Sequence, residues 1–312
     1  GLVLLFRHIF KPQNVVSNTK KTVNKKNQML EGEYINNGTR FTKPSRYYEG
    51  QLLRENVVFI TSRNLKQNLE ALIKEKDINT IRLTDDYKLE NLDFLTTYNL
   101  DFIESIDILS DSVNDFEGLY SLRNLIRINS QKSKIDYTKF KNLKSIGLEI
   151  VDKYSLEKIS LVTKLERLGL YNKYAEIDLS ILSENINLKQ LQIRGSKLKS
   201  LKGLENFKDL ELLGLFHNRS LTSLEGISKD HVKLRKIEIY SAPKLFEVNN
   251  YLKELPNLSF LQLDSKKVDS FAFLNSLQKL ELLSIHNLVC NVEDGNKVPL
   301  IDALKRTNGK IW

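Results

Sequence analysis

Apolar positions recur along the chain in the frame L-x-x-L-x-L, with isoleucine substituting for leucine. The copies read INTIRL from Ile78, IESIDI from Ile103, LKSIGL from Leu143, LERLGL from Leu165 and LKQLQI from Leu188. They continue as LELLGL from Leu210, LRKIEI from Leu234, LSFLQL from Leu258 and LELLSI from Leu280. A tenth, less regular copy is LRNLIRI, read with Ile126 and Ile128 as its inward pair. The central anchors are then Ile81, Ile106, Ile126, Ile146, Leu168, Leu191, Leu213, Ile237, Leu261 and Leu283. Their separations are 25, 20, 20, 22, 23, 22, 24, 24 and 22. Chance clustering does not hold such a period for two hundred residues.

The spacing dictates the architecture. The x-L-x-L-x core alternates, so each copy predicts a short strand with leucines inward and the x residues outward. One strand cannot bury its leucines alone, whereas stacked copies form a parallel sheet over one continuous core. The expected fold is an α/β solenoid of about ten repeats. A curved parallel β-sheet lies on its concave side, and short 3₁₀ or helical segments lie on its convex side. The convex segments are read from a second apolar series three residues apart: Leu198, Leu201, Leu204, Phe207 and Leu210; Leu221, Leu224 and Ile227; Val268, Phe271, Leu274, Leu277 and Leu280.

Caps are predicted at both ends of the repeats, which span 78–288. In 47–77, VVFIT (57–61) reads as a strand. Ser62 is placed to N-cap a helix whose Leu65, Leu69, Leu72 and Ile73 share a face, so that strand, helix and first repeat strand make a β-α-β unit. In 289–312, Pro299 to Arg306 reads as a helix stopped by Asn308-Gly309, with Ile311 and Trp312 packed beside it. Residues 1–46 read as a basic, flexible segment containing a hairpin about Asn37-Gly38. That hairpin and YYEGQL (47–52) faintly resemble MORN-type repeats.

Residues 199–227, KSLKGLENFKDLELLGLFHNRSLTSLEGI, resemble the bacterial or SDS22-like leucine-rich repeat, the subclass that includes internalin-type arrays. The resemblance implies a ligand-binding solenoid and says little about the ligand. The asparagine of the family frame is met clearly only by Asn218. Ser196, Ala242 and Lys266 stand in the equivalent places, so the turns must satisfy their backbone groups in other ways.

Charge shifts attention away from the most basic segment. The net charge is +9, but residues 1–46 hold nine Lys/Arg against two acids, and the other 266 residues hold 39 against 37. A near-neutral body disfavours a nucleic-acid partner. Cys290 is the only cysteine, so no internal disulfide or cysteine metal cluster forms. This reading favours a reducing, cytoplasmic compartment. The apolar start GLVLLFRHIF is too short to cross a bilayer. An exported or surface-attached chain is the alternative if residues 1–10 are a trimmed signal.

The sequence offers no chemistry. There is no phosphate-binding glycine loop. The histidines have no metal spacing: His217 and His286, three repeats apart, would stand roughly 14 Å from each other. Neither a catalytic residue, nor a metal, nor a cofactor is expected.

The residues outside the frame carry the functional expectation. From the fifth repeat on, Tyr171, Phe216, Tyr240 and Phe260 fall where water is expected. They are joined by Arg194, Arg167, His217, Asp264 and His286, with Gly169 and Gly214 leaving hollows beside them. Aromatics with arginine, rimmed by charge, are the composition of binding hot spots. The expected function is non-enzymatic binding of a protein partner by a monomer. Tyr171, Arg194, Phe216, His217, Tyr240, Phe260, Asp264 and His286 form the contact face, with Leu212 as a further anchor and Asp264 and Glu238 giving polarity; those two lie on neighbouring strands and read as a solvated acidic spot rather than a carboxylate pair. The alternative is polyanion binding, to nucleic acid or an anionic membrane, through the basic tail.

Overall fold

Within each unit of the chain one main-chain carbonyl of a repeat accepts from two successive N–H groups of the repeat that follows. Glu166 O takes Lys189 N (2.8 Å) and Gln190 N (3.0 Å), Lys189 O takes Glu211 and Leu212, and Glu211 O takes Arg235 and Lys236. Such a fork fixes the stacking register, because a slip of one residue would break both bonds and turn the leucines outward.

The computed structural model describes residues 33–36, 39–42, 57–60, 65–74, 78–84, 89–132, 134–171, 179–286, 298–307 and 310–311. They fall into two units, divided after Asn129. Ser62, Asn37-Gly38, Cys290, Asn308-Gly309 and Trp312 lie outside the described residues.

In the first unit β1 (Glu33–Asn36) and β2 (Thr39–Thr42) form the expected antiparallel hairpin. Strand β2 also pairs antiparallel with β3 (Val57–Ile60). Helix α1 (Leu65–Lys74) then returns the chain, so that β4 (Thr80–Leu83) runs parallel to β3. This is the predicted β-α-β unit. Leu69 and Leu72 are buried, but Ile73 is 50% exposed. One residue turns a helix by about 100°, which carries Ile73 off the stripe that Leu72 occupies. Strand β5 (Ser105–Ile108) follows parallel to β4, and β6 (Arg127–Ser130) lies at the division.

The second unit continues the pattern with seven further strands in chain order. They are β7 (Ser145–Leu148), β8 (Arg167–Tyr171), β9 (Gln190–Arg194), β10 (Leu212–Phe216), β11 (Lys236–Tyr240), β12 (Phe260–Asp264) and β13 (Leu282–His286), each parallel to the next. The returns are short: α2 (Lys153–Ser160), 3₁₀ turns at Leu179–Leu182, Leu204–Asn206 and Ala272–Asn275, and α3 (Asn249–Leu252). The apolar series at 221–227 makes no helix. Isolated bridges Ser223–Glu247 and Glu225–Ile227 take its place. Gly226 there holds φ +109°, and a β-carbon on it would stand 2.1 Å from Leu201 O. Helix α4 (Val298–Thr307) closes the array, its Arg306 guanidinium donating to Leu274 O and Leu277 O at 3.1 Å each. Ile311, read from the sequence as lying beside that helix, belongs to a strand. With Lys310 it forms β14, parallel to β13.

The carbonyl fork corrects the third repeat. Glu104 O accepts from Ile126 and Arg127, as Glu166 O does from Lys189 and Gln190. Arg127 is therefore the residue before the anchor, and the inward pair is Ile128 and Ser130, both fully buried. The run Leu125-Ile126-Arg127-Ile128 permits two alternations, and only the backbone pairing chooses between them.

The broken asparagine ladder is replaced piecemeal. Buried Asn218 donates to Ile193 O (3.0 Å) and accepts from Ser196 N and Oγ (3.0 and 2.6 Å). Asn124, Asn187 and Asn257 tie the opposite turn by donating to Asp101 O, Thr163 O and Val232 O. His231, also buried, sits 3.0 Å from Leu204 O through Nε2, as part of the frame. Asn218→Ala strips one turn of three such bonds without opening a large cavity. It should lower stability by about 1–3 kcal/mol in urea unfolding; a change below about 0.5 kcal/mol would contradict this role.

Candidate functional site

Outward residues of the second unit fall in three rows across β8–β13. The first is Arg167, Gln190, Leu212, Lys236, Phe260 and Leu282; the second is Gly169, Gln192, Gly214, Glu238, Gln262 and Ser284. The third begins Tyr171, Arg194, Phe216, Tyr240 and resumes with Asp264 and His286. The direct pairing of β11 with β12 ends one residue short of this row. Ser241 there takes a left-handed φ of 58°, and its N–H donates to the Asp264 carboxylate at 3.1 Å.

The expected contact residues share this face but differ in what they offer. Tyr240 is 41% exposed, and Leu282, outward in the column before its anchor but not among the expected contacts, is 44% exposed. Arg194, Phe216, His217, Phe260 and His286 are half-buried. Tyr171, Asp264 and Leu212 are buried, contrary to expectation. The reason for Tyr171 is the hollow beside it. Its ring folds back over Gly169, where a β-carbon would stand 2.2 Å from the phenol oxygen. The hydroxyl donates to Gln192 Oε1 at 3.3 Å, and burial, with Glu149 nearby, pushes the phenol pKa well up. Phe216 covers Gly214 in the same way, its ring 2.7 Å from the β-carbon that glycine lacks. The two hollows are thus filled from their own strands and form no ligand pockets.

Nor do Glu238 and Asp264 form a solvated acidic spot. Glu238 lies in the second row opposite Gln262 and holds Lys236 Nζ at 3.3 Å. That ammonium also stands 4.6 Å from the Phe260 ring centre, so Phe260 and Lys236 stiffen one another. Asp264 instead caps the Ser241 turn. His217 lies one residue past the third row. It takes a left-handed φ of 56°, donates its N–H to Tyr240 O at 2.7 Å and meets the Tyr240 ring edge-on at 5.4 Å. Burial and the Arg194 and Arg219 charges lower its pKa, against Asp264, which raises it.

The first unit holds a polar cluster that sequence reasoning passed over as scaffold. Asp107 is 3% exposed on the outward side of β5. Arg82 Nε and Nη2 both donate to its Oδ2 (2.9 and 2.6 Å), Asn129 donates to Oδ1 (2.8 Å), and Arg127 Nη2 stands 3.4 Å from Oδ1. Arg127 Nε in turn donates to Ser105 Oγ at 2.7 Å. Burial alone would raise the Asp107 pKa, but the two guanidiniums and their hydrogen bonds outweigh it and hold the carboxyl below its ordinary range. The signal was present in the alternating signs of Arg82 and Asp107, but placing Asn129 beside them needed the corrected register. Among the described residues no group of three His, Cys, Asp or Glu could hold a metal ion, and no helix is long and apolar enough to cross a membrane.

Parallel strands at a period of 18 to 25 residues, leucine-lined inside and returned mostly by 3₁₀ turns or single short helices, are the leucine-rich-repeat solenoid fold. No family model matches the chain. Among solved structures it is similar to an internalin (inlF) from Listeria monocytogenes, at 15% identity and a TM-score of 0.54, covering 83% of this chain and 82% of that one. It is also similar to TLR13 in a TLR13–ssRNA13 complex, at 18% identity and a TM-score of 0.53, covering 75% of this chain and 36% of that one. A leucine-rich-repeat protein of Leptospira interrogans matches at 15% identity with a TM-score of 0.42. At these identities the likeness is one of fold.

The Asp107 cluster predicts an acid-sensitive limb. A carboxyl with a depressed folded pKa contributes stability that is full above the unfolded value, about 3.9, and is lost as pH falls through the folded one. Asp107→Asn should cost on the order of 3 kcal/mol at pH 7, by leaving two guanidiniums without their shared anion. Its unfolding midpoint should also fall less steeply than the wild type's below pH 4. Parallel acid limbs in the two proteins would contradict this assignment.

Proposed function

We propose that the chain is a binding module for another protein, engaged through the outward face of β9–β13. One observation carries the reading: Tyr240 and Leu282 are large, apolar and more than two-fifths exposed on a face that also presents Phe216 and Phe260. Large side chains left open on a rigid sheet supply contact area at little entropic cost, and such patches mark partner sites. The residues committed to internal packing, Tyr171 and Leu212, form the floor of the face, while Arg194, His217 and His286 stand at its edge with polar atoms to offer.

A protein suits this face better than a polyanion. The TLR13 neighbour is in complex with ssRNA13, but the three rows here hold Arg167, Arg194 and Lys236 against Glu238 and Asp264. Lys236 is already spent on Glu238. Phosphate backbones are held by several cations in excess, and this face does not supply them.

The test is a double substitution that leaves the floor intact. Tyr240→Ala with Leu282→Ser should weaken capture of the native partner by about tenfold or more, as loss of hot-spot residues does, with a melting temperature close to wild type. The exposed turn residues Ile186 and Val232 serve as controls, and their serine variants should bind normally. Full capture by the Tyr240/Leu282 variant would overturn the reading.

A further inference from the structure

The third row contains a locus of positive charge that the rest of the face does not balance. Arg194 lies in register with Phe216, and Phe216 with Tyr240. The backbone turns after these strands. Gly195 and His217 both take left-handed φ values, 68° and 56°, and Gly195 N donates to Phe216 O at 2.9 Å. A left-handed histidine is less favourable than glycine at such a position. It is held by its own N–H on Tyr240 O, by its ring on the Tyr240 ring, and by Asn218, the next residue, anchored by three bonds. Arg219 follows on the exposed turn. Arg194 and Arg219 both act on the His217 ring, and among the described residues neither guanidinium is in an ion pair.

Cations outnumber acids around this locus. Asp264 is the one acid acting on the His217 ring, and it is buried with its carboxylate turned to Ser241 N. Glu238 is held by Lys236, and Tyr171 occupies the strand between Arg194 and Glu149. Two guanidiniums thus act on the imidazole that meets the exposed Tyr240 ring. Guanidiniums recognise carboxylates in forked pairs, and the imidazole adds a donor once an anion favours its protonation.

We propose that Arg194, His217 and Arg219 form a carboxylate-binding subsite, so that the partner is a protein presenting an acidic side chain beside an apolar one, the acid on the arginines and the apolar group on Tyr240. This rests on the protein-binding reading of the same face and adds the chemistry of what is bound. The anion would share its charge with both guanidiniums and relieve the repulsion that now disfavours the protonated imidazole.

The probe is the blocked peptide Ac-Glu-Glu-Leu-Glu-Glu-NH₂ added to the full chain, read from the His217 ring resonances by NMR and assigned by their loss in His217→Gln. The peptide should move those resonances saturably and raise the His217 pKa by roughly half a unit or more. The lysine counterpart at equal ionic strength should not. Arg194→Gln and Arg219→Gln should each weaken the response at least threefold, while Lys141→Gln, a distant exposed cation, should not. No saturable shift, or an equal shift in the two arginine variants, would overturn the subsite. A larger response to oligouridine of the same charge would overturn its assignment to an acidic protein. Because Tyr240→Ala with Leu282→Ser is judged by partner capture, the face can survive the loss of the subsite, and the two failures are told apart.

Discussion

The forked acceptance of two N–H groups by one carbonyl, recurring from repeat to repeat within the second unit, is the constraint from which the site follows. It sets the strands in register, and register converts sequence spacing into position. Arg194, Phe216 and Tyr240 lie 22 and 24 residues apart, yet they stand on successive strands in one row. The leucines contribute the burial, about 25 cal/mol per Å² of apolar surface removed from water. Burial has no direction of its own, however, and would tolerate other alignments of the same apolar side chains. The hydrogen-bonded backbone chooses one.

Within that lattice, glycine decides which aromatics remain open. Tyr171 and Phe216 each follow a glycine by two positions, and each lays its ring over the bare backbone. Tyr240 follows Glu238, whose side chain occupies the corresponding place, and its ring stays in solvent. The same row therefore contains a buried floor and an exposed anchor. The arginine beside the floor and the histidine beside the anchor complete a surface with one apolar and one cationic part.

Much of this was legible in the sequence, and the limits have physical causes. The repeat, the terminal β-α-β unit, the closing helix and the hairpin were readable because each is a local pattern of period two or three, or a turn dipeptide. The alignment of the third repeat was not, since Leu125-Ile126-Arg127-Ile128 satisfies two alternations equally. The burial of Tyr171 was misjudged because the hollow at Gly169 was read as lying beside the ring, whereas the ring folds over it. The pattern Gly-x-aromatic, shared by Gly169-Leu170-Tyr171 and Gly214-Leu215-Phe216, is the signal that would have corrected it. The Asp107 cluster needed the true register, because Asn129 joins it only from the row that Ile128 defines. Leu282 was legible as outward, in the column before the anchor Leu283, but nothing in the pattern distinguished it from Leu212 in the same column, which is buried.

The central claim is that the exposed apolar groups of the sheet rows, and not those of the turns, meet the partner. Both kinds exist on this chain, Tyr240 and Leu282 on the sheet, Ile186 and Val232 on the turns. Hydroxyl-radical footprinting of the chain with and without its captured partner measures them together. Oxidation of Tyr240, His217 and Leu282 should fall severalfold in the complex while Ile186 and Val232 react as before. Protection of Ile186 and Val232 with Tyr240 and Leu282 unchanged would contradict it.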